Sequence, residues 1–195
     1  MTLMIFGLAL FLGTHSVRIF AEGWRTRALS RWGEKPYKLV YSLLALAGFA
    51  LIVHGYGLAR QQPVWLWSPP VALKHMNALL TLLAFVLLAA AYVPRNHFKA
   101  RLHHPMLLAV VLWALGHLLA TAKLADAVLF GAFLLWAVLD LAVAYQRDRV
   151  HASTYPAGTL AGTLISAAAG VAAWALFAFW AHAAWIGMAP LGRTL

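Results

Sequence analysis

The chain has 195 residues, 64% of them hydrophobic and only 10% charged. A soluble domain is nearer half apolar and one quarter charged, so a soluble globular fold is excluded and an integral membrane protein is expected. There is no cysteine, which excludes disulfides, thiolate metal ligands and cysteine nucleophiles. The net charge of +10 lies in short basic stretches between apolar runs. Such stretches serve as topology determinants and lipid-headgroup contacts, and they offer no basic face of a soluble fold for nucleic acid.

A membrane span needs about 20 apolar residues. By that measure the sequence predicts an all-α polytopic bundle of about six spans, forming a single domain over residues 1–195. The first span runs from about Thr2 to Ala21 and is expected to be a retained helix rather than a signal peptide, because no basic region precedes it. The second runs from about Tyr37 to Leu58, the third from about Val71 to Val93 and the fourth from about Pro105 to Ala122. The fifth runs from about Leu124 to Tyr145, and the sixth from about Thr159 to Gly187. Pro36, Pro105 and Pro156 sit at or before helix starts, where a missing N–H does no harm. The link at Thr121–Leu124 is short enough to require an antiparallel hairpin of the fourth and fifth spans.

The basic residues give the expected orientation. Arg25, Arg27, Arg31, Lys35 and Lys38 fill the first loop, Arg95, Lys99 and Arg101 the third, and Arg147 and Arg149 the fifth. The even loops hold little beyond Arg60, Lys74 and Lys123. The positive-inside rule then places the odd loops in the cytoplasm and both termini outside, with Trp65 and Trp67 at the outer interface. In the sixth span, Gly158 and Gly162 form a small-xxx-small pair. It reads either as packing inside the bundle or as a homodimer contact.

Polar groups at bilayer depth are expensive and mark candidate sites. They are His15, His54, His75, Asn77, His117, Asp140 and His182. His75 and His182, near span ends, read as solvated or interfacial. His54, in His54-Gly55-Tyr56-Gly57, lies near the outer surface in a stretch able to bend, and stands between packing and function. Asp140 reads as the ion-pair partner of Arg147 or Arg149, and Asp126 as a first-turn carboxylate favoured by the helix dipole. His15 and His117 are the strongest candidates. Counted from Arg25 and His104 at 1.5 Å per residue, they lie roughly 15 and roughly 20 Å inside. Two imidazoles at matching depth are either hydrogen-bonded core residues or ligands of one metal. In an apolar bundle the metal unit they suit is haem, a flat macrocycle whose iron accepts histidine. Arg101, His103, His104 and Pro105 form a basic helix start. It is either an ordinary anchor or the holder of an anionic group such as a haem propionate or a lipid phosphate.

Several motifs occur together: Gly13-Thr14-His15-Ser16 with Arg18, Trp24-Arg25, Trp67-Ser68-Pro69-Pro70 before His75, and His104-Pro105-Met106-Leu107-Leu108 through Trp113-Ala114-Leu115-Gly116-His117-Leu118-Leu119. Phe130-Gly131 and Trp136-Ala137-Val138-Leu139-Asp140 complete the set. With them the chain resembles the NnrU family of bacterial membrane proteins over nearly its whole length. The resemblance implies a multi-pass protein of the bacterial inner membrane, linked to denitrification and nitric oxide metabolism. The family is similar to the plant cis-zeta-carotene isomerase, which carries haem b. The ligating histidines of that enzyme correspond to His15 and His117 here, with the thirteen-residue offset from His104 to His117 kept. Three positions depart from the pattern. Ala114 stands where the plant enzyme has a cysteine proposed to exchange as an iron ligand, His103 stands where arginine is usual, and Ala120-Thr121-Ala122 replaces Ala-Asn-Gly.

Three functions follow as expectations. The first is a haem b protein with isomerase-like or redox chemistry on an apolar molecule or a diatomic gas within the bilayer. The second is a non-catalytic membrane partner in denitrification. The third is a methyltransferase using S-adenosylmethionine, against which no glutamate follows His104 to complete its paired-glutamate element.

Overall fold

The computed structural model describes residues 1–191, and its described residues are helical and connecting segments. They fall into two units: Met1–Trp67 with Ala122–Asp140, and Ser68–Thr121 with Leu141 onward. The long helix α8 (Leu124–Val150) contributes its first part to one unit and its last part to the other.

In the first unit, helix α1 (Thr2–His15) stops earlier than the apolar run does. The reason lies in Thr14, His15 and Ser16. Each turns its side chain back to the carbonyl four residues earlier, Leu10, Phe11 and Leu12, at 2.7 Å in every case. Such back-bonding competes with the helical ladder and bends helices. The chain continues as the short α2 (Val17–Phe20), breaks again at Ala21, and forms α3 (Glu22–Trp32). The expected first span to Ala21 is thus interrupted, and the stretch expected to be a basic loop is largely a helix. That helix carries Arg25, Arg27 and Arg31 beside Trp24 and Trp32. Gly33, at φ +84°, ends it and opens α4 (Glu34–Ala59).

Helices α1 and α4 pack backbone to backbone. A methyl group on Gly7 would lie 2.6 Å from the Ile52 nitrogen, and one on Gly48 would lie 2.7 Å from the Phe11 nitrogen. Small residues permit this approach. Gly55 belongs to the same interface, against Leu3 and Met4. The stretch His54–Gly57, able to bend, stays helical within an unbroken α4, where Gly55 serves the helix contact. Beyond α4, Trp65 and Lys123 form an antiparallel bridge, with Leu66 N–H bonded to Ala122 O at 2.7 Å and Leu124 N–H to Val64 O at 2.9 Å. The Lys123 ammonium lies 5.1 Å from the centre of the Trp65 ring.

In the second unit, α5 (Val71–Tyr92) packs on α7 (Pro105–Ala120) and on α9 (Leu160–Leu176). Asn96, 1% exposed, organises the turn between α5 and α6 (His97–Leu102). It donates to the carbonyls of Ala90 and Val93 and accepts from the Lys99 N–H as an N-cap. Gly158 and Gly162 sit against His97 and against the carbonyls of Pro94 and Arg95, so both are taken up by contacts inside the chain. After α9 the chain widens into a π-helical turn, Phe177–Ala181, which is followed by α10 (His182–Ile186).

Among the described residues, four helical stretches are long and apolar enough to cross a membrane: α4, α5, α8 and Leu160–Ile186. Helices α1 and α7 are equally apolar but have 14 and 16 residues. At 1.5 Å per residue they rise about 21 and 24 Å, against a hydrocarbon core of about 30 Å.

Candidate functional site

His15 closes α1 in the first unit. Its Nδ1 lies 2.7 Å from the Phe11 carbonyl oxygen. A carbonyl only accepts, so Nδ1 carries the hydrogen, and in the neutral ring Nε2 is the acceptor. Aromatic rings surround the imidazole. Phe11 is 4.2 Å away between centres, Tyr41 meets it edge-on at 5.3 Å, and Trp136 stands nearly perpendicular at 6.0 Å. The Trp136 indole N–H is buried without an acceptor among the described residues. The expected depth of His15 assumed an unbroken helix to Arg25, and the breaks at Ser16 and Ala21 remove that assumption.

His117 lies in the last turn of α7, in the second unit. Helix α7 is continuous from Pro105, so the rise of roughly 20 Å from His104 to His117 holds. The His117 ring repeats the arrangement of His15: Nδ1 is 2.8 Å from the Trp113 carbonyl oxygen, and the same tautomer results. Ala114, one turn earlier, is fully buried. Gly116 lets α5 approach so closely that an added methyl would lie 2.6 Å from Asn77 Oδ1, a buried acceptor without a donor among the described residues.

The basic helix start forms a separate polar cluster in the second unit. Pro105 disfavours helical backbone at the residue before it, and α6 ends at Leu102. His103 takes φ +60°, ψ −50°, and the His104 N–H bonds to Leu102 O at 2.6 Å. This is a γ-turn of the strained, positive-φ kind. The Tyr145 hydroxyl pins it by donating to the same carbonyl at 2.8 Å. Asp148 Oδ2 accepts from His104 Nε2 at 2.9 Å and from the Tyr155 hydroxyl at 2.8 Å, with His103 Nδ1 at 3.6 Å. The His103 and Tyr155 rings stack at 4.2 Å and 8°. Burial first, then the hydrogen bond to Asp148, pushes the Tyr155 phenol up to about 12. His104, expected to meet an anion, therefore has an acidic partner in its own chain. Arg101 lies exposed in the last turn of α6.

The remaining polar residues are spread out. His54 and His75 are exposed on α4 and α5, and His182 donates to the Met188 carbonyl at 2.6 Å. Asp126 is buried in the first turn of α8 and accepts from Tyr56 at 2.5 Å. Among the described residues no three histidine, cysteine or acidic side chains converge as a metal-ion site. Sequence reasoning missed Tyr155 and Tyr56, which have no linear signature, and Asn96, whose position before a short helix was a legible N-cap signal.

The apolar helices and the histidines within them define a polytopic α-helical membrane protein. The family model described as NnrU protein matches residues 3–190, and the chain belongs to the NnrU family. No curated protein and no solved structure matches it.

Proposed function

We propose that this NnrU-family protein binds haem b in the bacterial inner membrane, with His15 and His117 as the iron ligands. In this reading α1 and α7 also cross the bilayer, giving six crossings with both termini outside. The observation that carries the proposal is the shared state of the two imidazoles. Each donates Nδ1–H to the carbonyl four residues earlier, which leaves Nε2 as the nitrogen that would ligate a metal. Metal-bound histidines use their second nitrogen in this way, which fixes tautomer and ring orientation.

The residues present fit such a group. Phe11, Tyr41 and Trp136 give His15 an aromatic surround suited to a flat apolar macrocycle. The Trp136 N–H, without an acceptor among the described residues, offers a donor beside His15. When bound, haem would supply a redox-active iron; held by two histidines it is suited to electron transfer, and a diatomic gas or a double bond would need one of them displaced. The chain's own part is to hold the ring and exclude water around it. With alanine at position 114 and no cysteine anywhere, a thiolate takes no part in ligation.

The test is the absorption spectrum of the purified protein before and after dithionite. A Soret band is expected, and His15→Ala and His117→Ala should each abolish or shift it. A colourless protein, or a band unchanged in both variants, rejects the reading.

A further inference from the structure

The strongest unassigned feature lies in the first unit, where α1, α3 and α4 meet. An open groove of about 270 Å³ is lined by Gly13, Thr14, Trp24, Trp32, Tyr41 and Leu44 among others. Its walls are almost wholly apolar. Trp24 and Trp32 meet edge-to-face at 6.1 Å, yet remain 46% and 47% exposed, so much of their ring surface has no partner in the chain. A second depression of about 300 Å³ adjoins it, lined by Arg25, Leu29, Glu34, Tyr37 and Lys38. Tyr37 borders both.

An apolar channel and a charged basin with a common wall match a molecule with a hydrocarbon tail and a polar head. The charge fixes the sign of that head. Residues 18–38 carry six cations and two carboxylates, a net +4. Glu22 binds Arg25 at 2.9 Å and Glu34 pairs with Lys38, but both pairs lie at the exposed surface, where such pairs are weak and open to competition. Arg25 retains further N–H donors suited to a phosphate oxygen. Tryptophans favour the headgroup level of a bilayer, where basic residues meet anionic lipid.

We propose that this corner is a binding site for one anionic phospholipid from the surrounding bilayer. The acyl chain lies along Trp24, Trp32 and Tyr41, and the phosphate sits at Arg25 and Lys38. The site shares Tyr41 with the aromatic surround of His15, but its head contacts, Arg25 and Lys38, stand apart from that surround. It gives the broken α2–α3 segment a role: it sets Arg25 beside a groove that an unbroken first helix would not form.

Native mass spectrometry of the full chain released from detergent micelles tests this, with phosphatidylglycerol and phosphatidylcholine of identical acyl chains as probes. One phosphatidylglycerol should be retained preferentially, by about fivefold or more over phosphatidylcholine. Arg25→Gln with Lys38→Gln should remove the preference. Trp24→Ala with Trp32→Ala should remove retention of both lipids, with unchanged far-ultraviolet circular dichroism showing that the helices persist. Equal retention of the two lipids by the unaltered protein overturns the proposal, as does retention unaffected by either double variant. Displacement of phosphatidylglycerol by inorganic phosphate would show a head site without a tail site, and would also overturn it.

Discussion

The Tyr56 hydroxyl donates to Asp126 Oδ1 at 2.5 Å, joining α4 to the first turn of α8 across 70 positions of sequence. Asp126 is only 7% exposed, so its carboxyl depends on this donor and on the helix start beneath it. Tyr56→Phe keeps the ring and removes the donor. It should destabilise the fold by about 1–3 kcal/mol, the range for a buried polar group left unpaired. Thermal unfolding in detergent measures this, and Asp126→Asn, which still accepts, should cost less. Equal melting temperatures for Tyr56→Phe and the unaltered protein would count against the bond.

Gly55 allows α4 to lie directly on α1. A methyl there would stand 2.8 Å from the Met4 Cα and 2.9 Å from the Leu3 carbonyl carbon. The neighbours are backbone and cannot swing aside. Gly55→Ala should therefore lower stability by about 1–3 kcal/mol, as overpacking does. Gly57→Ala, with nothing within 4 Å, is the control and should be near neutral or slightly stabilising.

His103 combines a strained backbone with a stacked ring. His103→Ala and His103→Gly both remove the stack on Tyr155, and they differ only in the backbone. At φ +60° glycine should be the more stable of the two by about 1 kcal/mol. In ordinary helix or strand the order is reversed. The sign of the difference is the measurement, and alanine proving more stable would show that the turn is not strained.

Tyr155 links the same cluster to pH. Its phenol titrates near 12, against 10.0 for an unperturbed tyrosine. Between these values the unfolded chain gives up its proton while the folded chain keeps it. The stabilisation is therefore complete below about pH 10 and is lost as pH rises through about 12. Tyrosinate absorbance should lose one late-titrating phenol in Tyr155→Phe, and that variant should lose less stability between those two pH values. A titration curve identical in both proteins would refute the contact with Asp148.

Much of the architecture was legible because apolar runs of span length are strong signals. Helices α4, α5 and α8 appear where the hydropathy placed them, and α7 starts at Pro105 as its proline required. What was missed follows from side-chain chemistry that a window of hydropathy averages away. Thr14, His15 and Ser16 end α1 by folding back on its carbonyls, and Trp24 to Trp32 wind into a helix although their arginines read as loop. At the candidate site, His15 and His117 stood out as polar residues in apolar sequence. Their tautomer depends on a carbonyl oxygen, which no residue pattern reports. Asp148 and Tyr155 meet around a chain turn, and nothing in their spacing marks them as partners.

The hydrogen bond from each of these two imidazoles spans only four residues within its own helix. It therefore forms as the helix winds, on a timescale of about a microsecond or less, ahead of the slower assembly of helices into a bundle. The orientation of each ring is thus a product of early biogenesis: it is inherited by the assembled protein, and it survives any later loosening that leaves the individual helix intact.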